Sequence, residues 1–241
     1  MNVAERYSGI CVLGGGGFLG SRLVERLLAM PGLHVQAIDT CFDRLELRSD
    51  RLELTQADIA EPGVLEEAVE RNEVMVSTTA MFNPALYNTR PLDVIHASFT
   101  HLLPLVELCT RRQRRLIQFS TCEVYGNPAA AGLDPQAPMR EDQGPIVLGP
   151  ISNERWSYSA AKQLLERVIW ASGLHHGLEF SIIRPFNVIG PRMDFIPGVD
   201  GEGIPRVLAC FMNALLRREA LLLVNGGSHR RSFIALEDFT D

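Results

Sequence analysis

The sequence predicts an α/β fold, in which a parallel, doubly wound sheet precedes a smaller C-terminal domain. Short apolar runs of strand length alternate with longer segments whose apolar residues recur at helical spacing, which is typical of β-α-β units. The first apolar run is followed at once by a cluster of glycines and then by a helical pattern. After residue 186 this alternation ends. We therefore predict one domain over residues 1–186 and the beginning of another over residues 187–241.

Composition narrows the class of protein. A chain of 241 residues with 46% hydrophobic and 22% charged residues is ordinary for a soluble globular protein. The net charge of −6 gives no basic footprint for nucleic acid. We expect that no run approaches membrane-spanning length. The five cysteines are odd in number and lack metal-ligand spacing. We expect a reduced, cytoplasmic protein without a metal site, a nucleic-acid partner or a membrane partner.

The first unit of the chain is a strand, a glycine turn and a helix. The strand is Gly9–Leu13, and Gly14, Gly17 and Gly20 follow it with the spacing G-x-x-G-x-x-G. The first glycine can make the tight turn, the second leaves room for a pyrophosphate, and the third lets the helix pack close to the strand. The N-terminus of the helix then offers free N–H groups to the phosphates. The sequence therefore predicts a dinucleotide site in a Rossmann fold.

Two acidic residues follow the next two strands and indicate which dinucleotide binds. The strand His34–Ile38 ends in Asp39, whose carboxylate can accept from a ribose 2′-hydroxyl and would repel a 2′-phosphate. This favours NAD over NADP, although Arg44 is close in the sequence. Asp58 ends the third strand, near Leu52–Leu54, and is placed to approach the adenine or to cap a helix that starts near Pro62.

The middle of the chain continues the alternation. A fourth strand, Val74–Ser77, leads into a loop over Thr78–Tyr87, at the carboxyl strand end where ligands bind in such folds. A long helix is predicted over Pro91–Cys109. Residues 126–153, rich in Pro, Gly and Ala, are too long for a plain connection, and we interpret them as a lid or substrate loop.

Candidate catalytic residues follow the fifth strand, Leu116–Phe119. Thr121 can hold a substrate oxygen. Tyr158 and Lys162 lie four residues apart on a helix predicted over residues 154–171, so they share one face. A phenol has an ordinary pKa of ~10, and a nearby ammonium would lower it and let Tyr158 exchange a proton near neutral pH. The alternative is a helix whose Tyr and Lys fall in register by chance.

The remaining elements are a sixth strand and an incomplete second domain. Phe180–Ile183 is the sixth strand. Beyond it we expect a loop over residues 190–203, a helix over Pro205–Arg217 and a short strand over Leu221–Val224.

These motifs together resemble a known family. The glycine turn, Tyr158-x-x-x-Lys162 and the stretch from Arg184 to Pro191 resemble the extended short-chain dehydrogenases/reductases of the NAD-dependent epimerase/dehydratase family, which act on nucleotide sugars. Ser120–Gly126 and Arg155–Tyr158 resemble UDP-glucuronate decarboxylases. The runs Tyr87–Asp93 and Pro191–Phe211 are most similar to plant UDP-apiose/UDP-xylose synthases.

The resemblance implies a chemistry and a set of residues. NAD would oxidise C4 of UDP-glucuronate with Tyr158 as base, the β-keto acid would lose CO2, and a UDP-pentose would result, either UDP-xylose, UDP-4-ketopentose or UDP-apiose. Glu123 would be the acid/base at the sugar. The implied catalytic residues are Thr121, Cys122, Glu123, Tyr158 and Lys162. The cofactor-binding residues are Gly14, Gly17, Phe18, Leu19, Gly20, Asp39, Asp58, Ile59, Tyr158 and Lys162. The substrate-binding residues are Phe82, Tyr87, Thr121, Cys122, Arg155, Asn187, Arg206 and Arg231.

The family also implies a homodimer, in which the helix with Leu164 and the helix with Leu102 pack against their copies. The alternative is that both apolar stripes face the sheet.

The sequence departs from the family pattern at three places, and two other functions remain as alternatives. Phe82 stands where apiose synthases have a second cysteine, Leu222 stands where a lysine lies near the nucleotide, and the family's catalytic arginine has no counterpart in this sequence. A 4-epimerase or 4,6-dehydratase is the other enzyme hypothesis, disfavoured by Glu123 beside Cys122. A non-catalytic NAD-binding regulator is the hypothesis from another class, disfavoured because Thr121, Tyr158 and Lys162 are all intact.

Overall fold

The computed structural model describes residues 6–81, 84–126, 132, 134, 137–142, 148–195, 205–228 and 230–241. The chain divides into two compact units, Met1–Pro185 and Phe186–Asp241. This division lies one residue before the boundary that the sequence predicts.

Six parallel strands form the sheet of the first unit, in the order β3-β2-β1-β4-β5-β6. They are β1 (Gly9–Leu13), β2 (His34–Asp39), β3 (Leu52–Gln56), β4 (Val74–Ser77), β5 (Arg115–Phe119) and β6 (Phe180–Ile183). The order reverses between β1 and β4, where Leu13 pairs with Ile38 on one side and with Ser77 on the other. Ligands of open α/β sheets bind at such a reversal, outside the carboxyl ends of the strands. The predicted doubly wound parallel sheet is confirmed.

Helices connect these strands. They are α1 (Phe18–Ala29), α2 (Val64–Arg71), α3 (Pro84–Tyr87), α4 (Pro91–Ser98), α5 (Leu103–Arg112) and α6 (Ser157–His176), with single 3₁₀ turns at Thr100–Leu102, Cys122–Tyr125 and Glu154–Trp156. The loop predicted over Thr78–Tyr87 thus ends in a short helix.

The single helix predicted over Pro91–Cys109 is wrong, because the chain leaves helical geometry at Phe99 (φ −139°, ψ −65°). Pro104 lies in the first turn of α5, and a proline lacks the N–H that a continuous helix would need there.

The core lies on both faces of the sheet, so its central strands are buried on each side. Its deepest members include Cys11, Leu13, Ile38, Val69, Met75, Leu102, Leu105, Val106, Cys109, Leu116, Leu165 and Ile169.

The stretch Pro91–Arg112 is long and apolar enough to cross a membrane by length and composition, contrary to the sequence expectation. Leu102, Leu105 and Val106 of that stretch are nevertheless fully buried in the core, and core helices pass the same test.

The helices of the predicted dimer interface show where their apolar stripes point. Leu102, Leu105, Leu165 and Ile169 face the core, as the alternative expects. On α6, however, the Leu164 side chain is 46% exposed, and Trp170 is exposed as well. The homodimer stays a prediction.

The second unit contains a pair of short parallel strands, β7 (Asn187–Ile189) and β8 (Phe233–Ala235), with the helices α7 (Val207–Arg217) and α8 (Leu236–Thr240). The predicted helix over Pro205–Arg217 is confirmed from Val207 onward. The strand predicted over Leu221–Val224 is wrong: this run pairs with no strand, and Leu222 is 83% exposed. A short apolar run does not by itself make a strand, because a strand also needs a neighbour to pair with.

Candidate active site

The glycine turn after β1 is shaped by close approaches of the backbone. Gly14 has φ +80°, and its N–H donates to the Ile38 carbonyl at 2.8 Å, while the Gly17 N–H donates to the Gly14 carbonyl at 3.1 Å. A Cβ at Gly20 would collide with the Gly14 carbonyl oxygen, and a Cβ at Gly16 would collide with the Cys41 carbonyl oxygen. Positions 16 and 20 therefore accept only glycine, because the backbone packs too closely there for any side chain.

Asp39 is held against this turn. Its Oδ2 accepts a hydrogen bond from the Gly16 N–H at 3.0 Å, and its Oδ1 accepts from the Thr40 N–H at 2.7 Å. Gly16 therefore positions the carboxylate that the sequence predicts for the ribose. Sequence reasoning missed Gly16, because the motif spacing counts only Gly14, Gly17 and Gly20.

A cavity of about 640 Å³ opens where the strand order reverses. The ends of β1 to β4 form one wall, and α4 with the following 3₁₀ turn forms the other. Its lining residues are Gly14, Ile38, Asp39, Thr40, Ala57, Asp58, Ile59, Thr79, Ala80, Met81, Arg90, Asp93, His96, Ala97 and His101.

In the wall formed by the strand ends, Asp58 Oδ1 accepts a hydrogen bond from the Ala60 N–H at 2.9 Å. Asp58 therefore caps a turn and not the helix α2, whose N-cap is Gly63. His96 and His101, with ring centroids 5.8 Å apart, were not predicted from the sequence.

These features fit a dinucleotide. The N-terminus of α1 lies at the glycine turn and has no side-chain cap. Its first N–H groups are therefore available to bind an anion such as a phosphate. In the described part of the chain, the buried hydroxyls of Thr79 and Ser120, at the ends of β4 and β5, have no hydrogen-bond partner. A buried polar atom without a partner is costly and points to a ligand or water that satisfies it. Ile59 lines the cavity, and Phe18 and Leu19 begin α1 directly after the glycine turn; their contact with the cofactor stays a prediction.

The 3₁₀ turn after β5 carries the acidic candidate. Thr121 caps this turn, because its Oγ1 accepts from the Glu123 N–H at 3.2 Å. Both oxygens of Glu123 bind Arg155, with Nη1–Oε2 and Nη2–Oε1 distances of 2.8 Å each. Ser159 Oγ donates to the same Oε2 at 2.8 Å. Bidentate pairing of this kind is strong and directional.

Tyr158 lies next to this ion pair. It is buried and stacks on the Tyr87 ring, with centroids 5.0 Å apart and planes 18° apart. The Arg155 guanidinium lies 5.0 Å from the centroid of Tyr87. Burial raises the pKa of the Tyr158 phenol, and the charge of Glu123 raises it further, while a hydrogen bond with Thr121 lowers it.

Lys162 is the only lysine in the chain. Its side chain is buried, and Nζ donates to the Phe119 carbonyl at 3.0 Å and to the Thr79 carbonyl at 3.3 Å. Burial lowers the pKa of Lys162 to about 8, and Glu166 opposes this shift. The predicted lowering of the Tyr158 pKa by Lys162 is therefore not found, because the ammonium binds backbone carbonyls and burial dominates at the phenol.

A second ion pair supports this region and was missed. Glu166 lies one turn after Lys162 and binds Arg184, with an Nη2–Oε2 distance of 2.6 Å. The Arg184 guanidinium lies 4.8 Å from the ring centroid of Tyr125, the last residue of the 3₁₀ turn. No local spacing signals this pair, because Glu166 and Arg184 lie 18 residues apart in different elements.

The remaining predicted residues make contacts of their own. In the second unit, Asn187 Nδ2 donates to the Ser232 carbonyl at 2.8 Å, Arg206 Nε binds Asp194 Oδ2 at 3.1 Å, and Arg231 Nη1 donates to the Arg230 carbonyl at 2.7 Å. Cys122 follows Thr121, and its N–H donates to the Pro185 carbonyl at 3.0 Å. Phe82 and 13 of the 28 residues of the predicted lid lie outside the described residues, which hold no cluster of three or more metal ligands.

A doubly wound sheet with a glycine-lined cavity, with Thr121 after β5 and with Tyr158 and Lys162 on α6, defines an NAD-dependent short-chain dehydrogenase/reductase. The chain belongs to the NAD dependent epimerase/dehydratase family, whose model matches residues 10–241. This family supports NAD as the cofactor, as the sequence predicts.

Similar proteins refine this placement. The chain is 46% identical over 248 residues to a UDP-D-apiose/UDP-D-xylose synthase of Oryza sativa subsp. japonica, covering 95% of this chain and 62% of that protein. UDP-D-apiose/UDP-D-xylose synthase 1 of Arabidopsis thaliana is also 46% identical, with 95% and 64% covered. This chain thus spans less than two thirds of the length of these relatives.

Solved structures share the fold. The PbgP3 protein of Burkholderia pseudomallei matches with a TM-score of 0.84 and 34% identity, covering 98% of this chain and 69% of that one. A UDP-glucuronic acid 4-epimerase of Bacillus cereus, solved with UDP-glucuronic acid and NAD, matches with a TM-score of 0.78, covering 96% and 70%. At 22% identity, this second likeness supports the fold alone.

Proposed function

We propose that this chain carries the catalytic unit of an NAD-dependent UDP-glucuronate decarboxylase, which forms a UDP-pentose through a C4-keto intermediate. The observation that carries the proposal is the cluster of Thr121, Glu123, Arg155 and Tyr158 beside the dinucleotide cavity. It combines a phenol, a carboxylate and a guanidinium, which are the groups that oxidation and decarboxylation of an acidic sugar need. The names of the relatives at 46% identity support the same substrate.

In this proposal, three residues act at C4. The glycine turn and Asp39 would hold NAD, which supplies reversible two-electron oxidation of a sugar carbon when bound. Thr121 Oγ1 orients the C4 hydroxyl, and Tyr158 accepts its proton as a phenolate, a form that the positive charge of NAD would favour against the effect of burial when the cofactor is bound. Lys162 supplies positive charge at the ends of β4 and β5, and it is predominantly protonated at neutral pH because its pKa is about 8.

Decarboxylation follows from the C4 ketone. The bond between C5 and the carboxyl carbon breaks, CO2 leaves, and the electron pair passes into an enolate at C4, which the Tyr158 hydroxyl stabilises by donating a hydrogen bond. A proton then returns to C5. Glu123 is the nearest acid in the cluster and is assigned this transfer. Arg155, as a guanidinium, suits the anionic group of the sugar.

The product of this chain is proposed to be UDP-xylose or the UDP-4-ketopentose rather than UDP-apiose. Ring contraction requires proton transfers at sugar hydroxyls while a carbon–carbon bond is broken and remade. Cys122 has Glu123 as its neighbour, and a carboxylate disfavours a thiolate. Phe82 has no proton to transfer.

The test is incubation of the full natural chain with UDP-glucuronate and NAD, followed by mass analysis of the nucleotide product. We expect the loss of one CO2 per sugar, and Tyr158→Phe, which lacks only the phenol oxygen, serves as the matched control. Unchanged UDP-glucuronate with NAD-loaded protein would refute the proposal. UDP-galacturonate as the product would favour the epimerase hypothesis.

A further inference from the structure

The carboxylate of Glu123 is occupied in this structure. Arg155 binds both of its oxygens, and Ser159 binds Oε2 as a second donor. Hydrogen bonds from a cation stabilise the charged carboxylate and fill its lone pairs. While this pairing lasts, Glu123 is a poor partner for proton transfer.

The two donors differ in their freedom to move. Arg155 lies in a 3₁₀ turn, its side chain is 36% exposed, and its guanidinium rests against the rings of Tyr87 and Trp156 at 5.0 and 5.4 Å. Such a side chain can turn toward an anionic ligand. Ser159 has a short side chain, is 0% exposed, and belongs to the 20-residue helix α6, directly after Tyr158. It moves only if the helix moves.

We infer that Ser159 is a positioning residue for Glu123. When Arg155 turns to the anionic group of a substrate, Ser159 keeps its hydrogen bond to Oε2, so that Oε1 becomes free at a fixed place beside Tyr158. This inference rests on the proposed function, since it requires an anionic substrate that competes with Glu123 for Arg155. It also explains why the serine hydroxyl is buried next to the phenol rather than exposed.

Ser159→Ala tests this role, because it removes only the hydroxyl oxygen. The space left in the buried helix face is too small for neighbouring side chains to rearrange. A hydrogen bond to a charged group is lost, so we expect kcat to fall by about 10-fold to 100-fold. KM for UDP-glucuronate should stay within about threefold, because Ser159 bonds Glu123 and not the substrate.

Two comparisons separate positioning from a structural role. Ser157→Ala is the matched control, because Ser157 begins the same helix and has no hydrogen bond to Glu123 among the described contacts. Its kcat and KM should equal those of the wild type. In a Glu123→Gln background, Ser159→Ala should cost less than about twofold, because no charged carboxylate remains to be held. Additive losses would overturn the inference.

A further readout needs no turnover. The ¹³Cδ carboxyl resonance of Glu123, identified by its absence in Glu123→Gln, should have different chemical shifts in Ser159→Ala and in the wild type at the same pH with NAD bound, because one hydrogen-bond donor is gone. Equal chemical shifts in both proteins would overturn the positioning role. If the wild type leaves UDP-glucuronate unchanged but this resonance moves, the proposed substrate is wrong and the Ser159–Glu123 coupling stands.

Discussion

The two halves of the site in the first unit are built from different parts of the chain. In the cofactor half, which is the turn Gly14–Gly20 with Asp39, backbone atoms set the geometry, and missing Cβ atoms allow it. In the sugar half, which is Thr121–Glu123 with Arg155, Tyr158 and Ser159, side chains set the geometry by binding one another.

This difference has a consequence for ligand binding. A backbone-built turn keeps its shape whether or not its ligand is present. A cluster of paired side chains has to exchange partners when a ligand arrives, since Glu123 and Arg155 fill each other's hydrogen bonds. Substitutions in the two halves should therefore separate turnover from cofactor binding.

Glu123→Gln should give the largest difference between the loss of turnover and the loss of NAD affinity. Glutamine keeps the shape of the side chain but cannot exchange a proton, so turnover of UDP-glucuronate should fall by ~10²–10⁴-fold. The Kd for NAD, measured by titration calorimetry, should stay within about threefold, because Glu123 does not line the cofactor cavity. Glu154→Gln, an exposed acid in the same turn as Arg155, should match the wild type in both. A parallel loss of NAD affinity would show that the halves are coupled.

Lys162→Met should stabilise the NAD-free protein while removing a catalytic residue. The folded-state pKa of about 8 lies below the ordinary 10.5, so between these values the unfolded chain binds more protons. The burial penalty is complete below pH 8, shrinks as pH rises and is absent above pH 10.5. It corresponds to about 3 kcal/mol, and the loss of two hydrogen bonds, at about 0.5–1.5 kcal/mol each, reduces the net gain to about 0–2 kcal/mol at pH 7.

Urea unfolding at pH 7 and at pH 10.5 measures this gain. The advantage of Lys162→Met over the wild type should vanish or reverse at the higher pH. Because the chain has one lysine, [¹⁵N]lysine labelling also gives a single Nζ resonance whose midpoint reports the pKa directly. A midpoint near 10.5, or a less stable Lys162→Met at pH 7, would contradict this prediction.

The same difference explains what the sequence could reveal. Strands β1, β2, β4 and β5 were predictable because their apolar runs are largely buried between the layers of helices, and the edge strands β3 and β6 followed from the alternation of strands and helices. The glycine turn was predictable because backbone geometry restricts the residue type at fixed spacing. The run Leu221–Val224 has the same local pattern without a partner strand, and there the prediction failed.

The side-chain pairing of the sugar half was beyond sequence reasoning. Glu123 and Arg155 lie 32 residues apart, and their contact depends on how α6 docks against β5. Local spacing placed Tyr158 and Lys162 on one helix, but the direction of the Tyr158 pKa depends on burial and on Glu123, which only the folded chain shows.

A smaller effect is expected in the cofactor half for Asp39→Ala. The carboxylate is predicted to bind the ribose hydroxyls, so NAD affinity should fall by about tenfold, a typical cost for a lost hydrogen bond to a charged group. Discrimination against NADP should narrow, because the repelling charge is gone. Asp39→Asn keeps an acceptor without the charge and should lose discrimination more than NAD affinity. Calorimetric titrations with both cofactors check this, and equal wild-type affinities for NAD and NADP would contradict the assignment of Asp39.

The smallest effect on turnover is expected for Cys122→Ser. Cys122 lies between Thr121 and Glu123 in the sequence. Cys122 holds the 3₁₀ turn through its backbone N–H, which a serine retains. Its thiol is assigned no proton transfer in decarboxylation, so the rate of CO2 release should stay within about threefold, far from the loss expected for Glu123→Gln. Coupled detection of CO2 and mass analysis of the sugar nucleotide measure rate and product together. If the wild type forms UDP-apiose as its main product and Cys122→Ser abolishes only that product, one cysteine suffices for ring contraction, and Phe82 does not limit the chemistry.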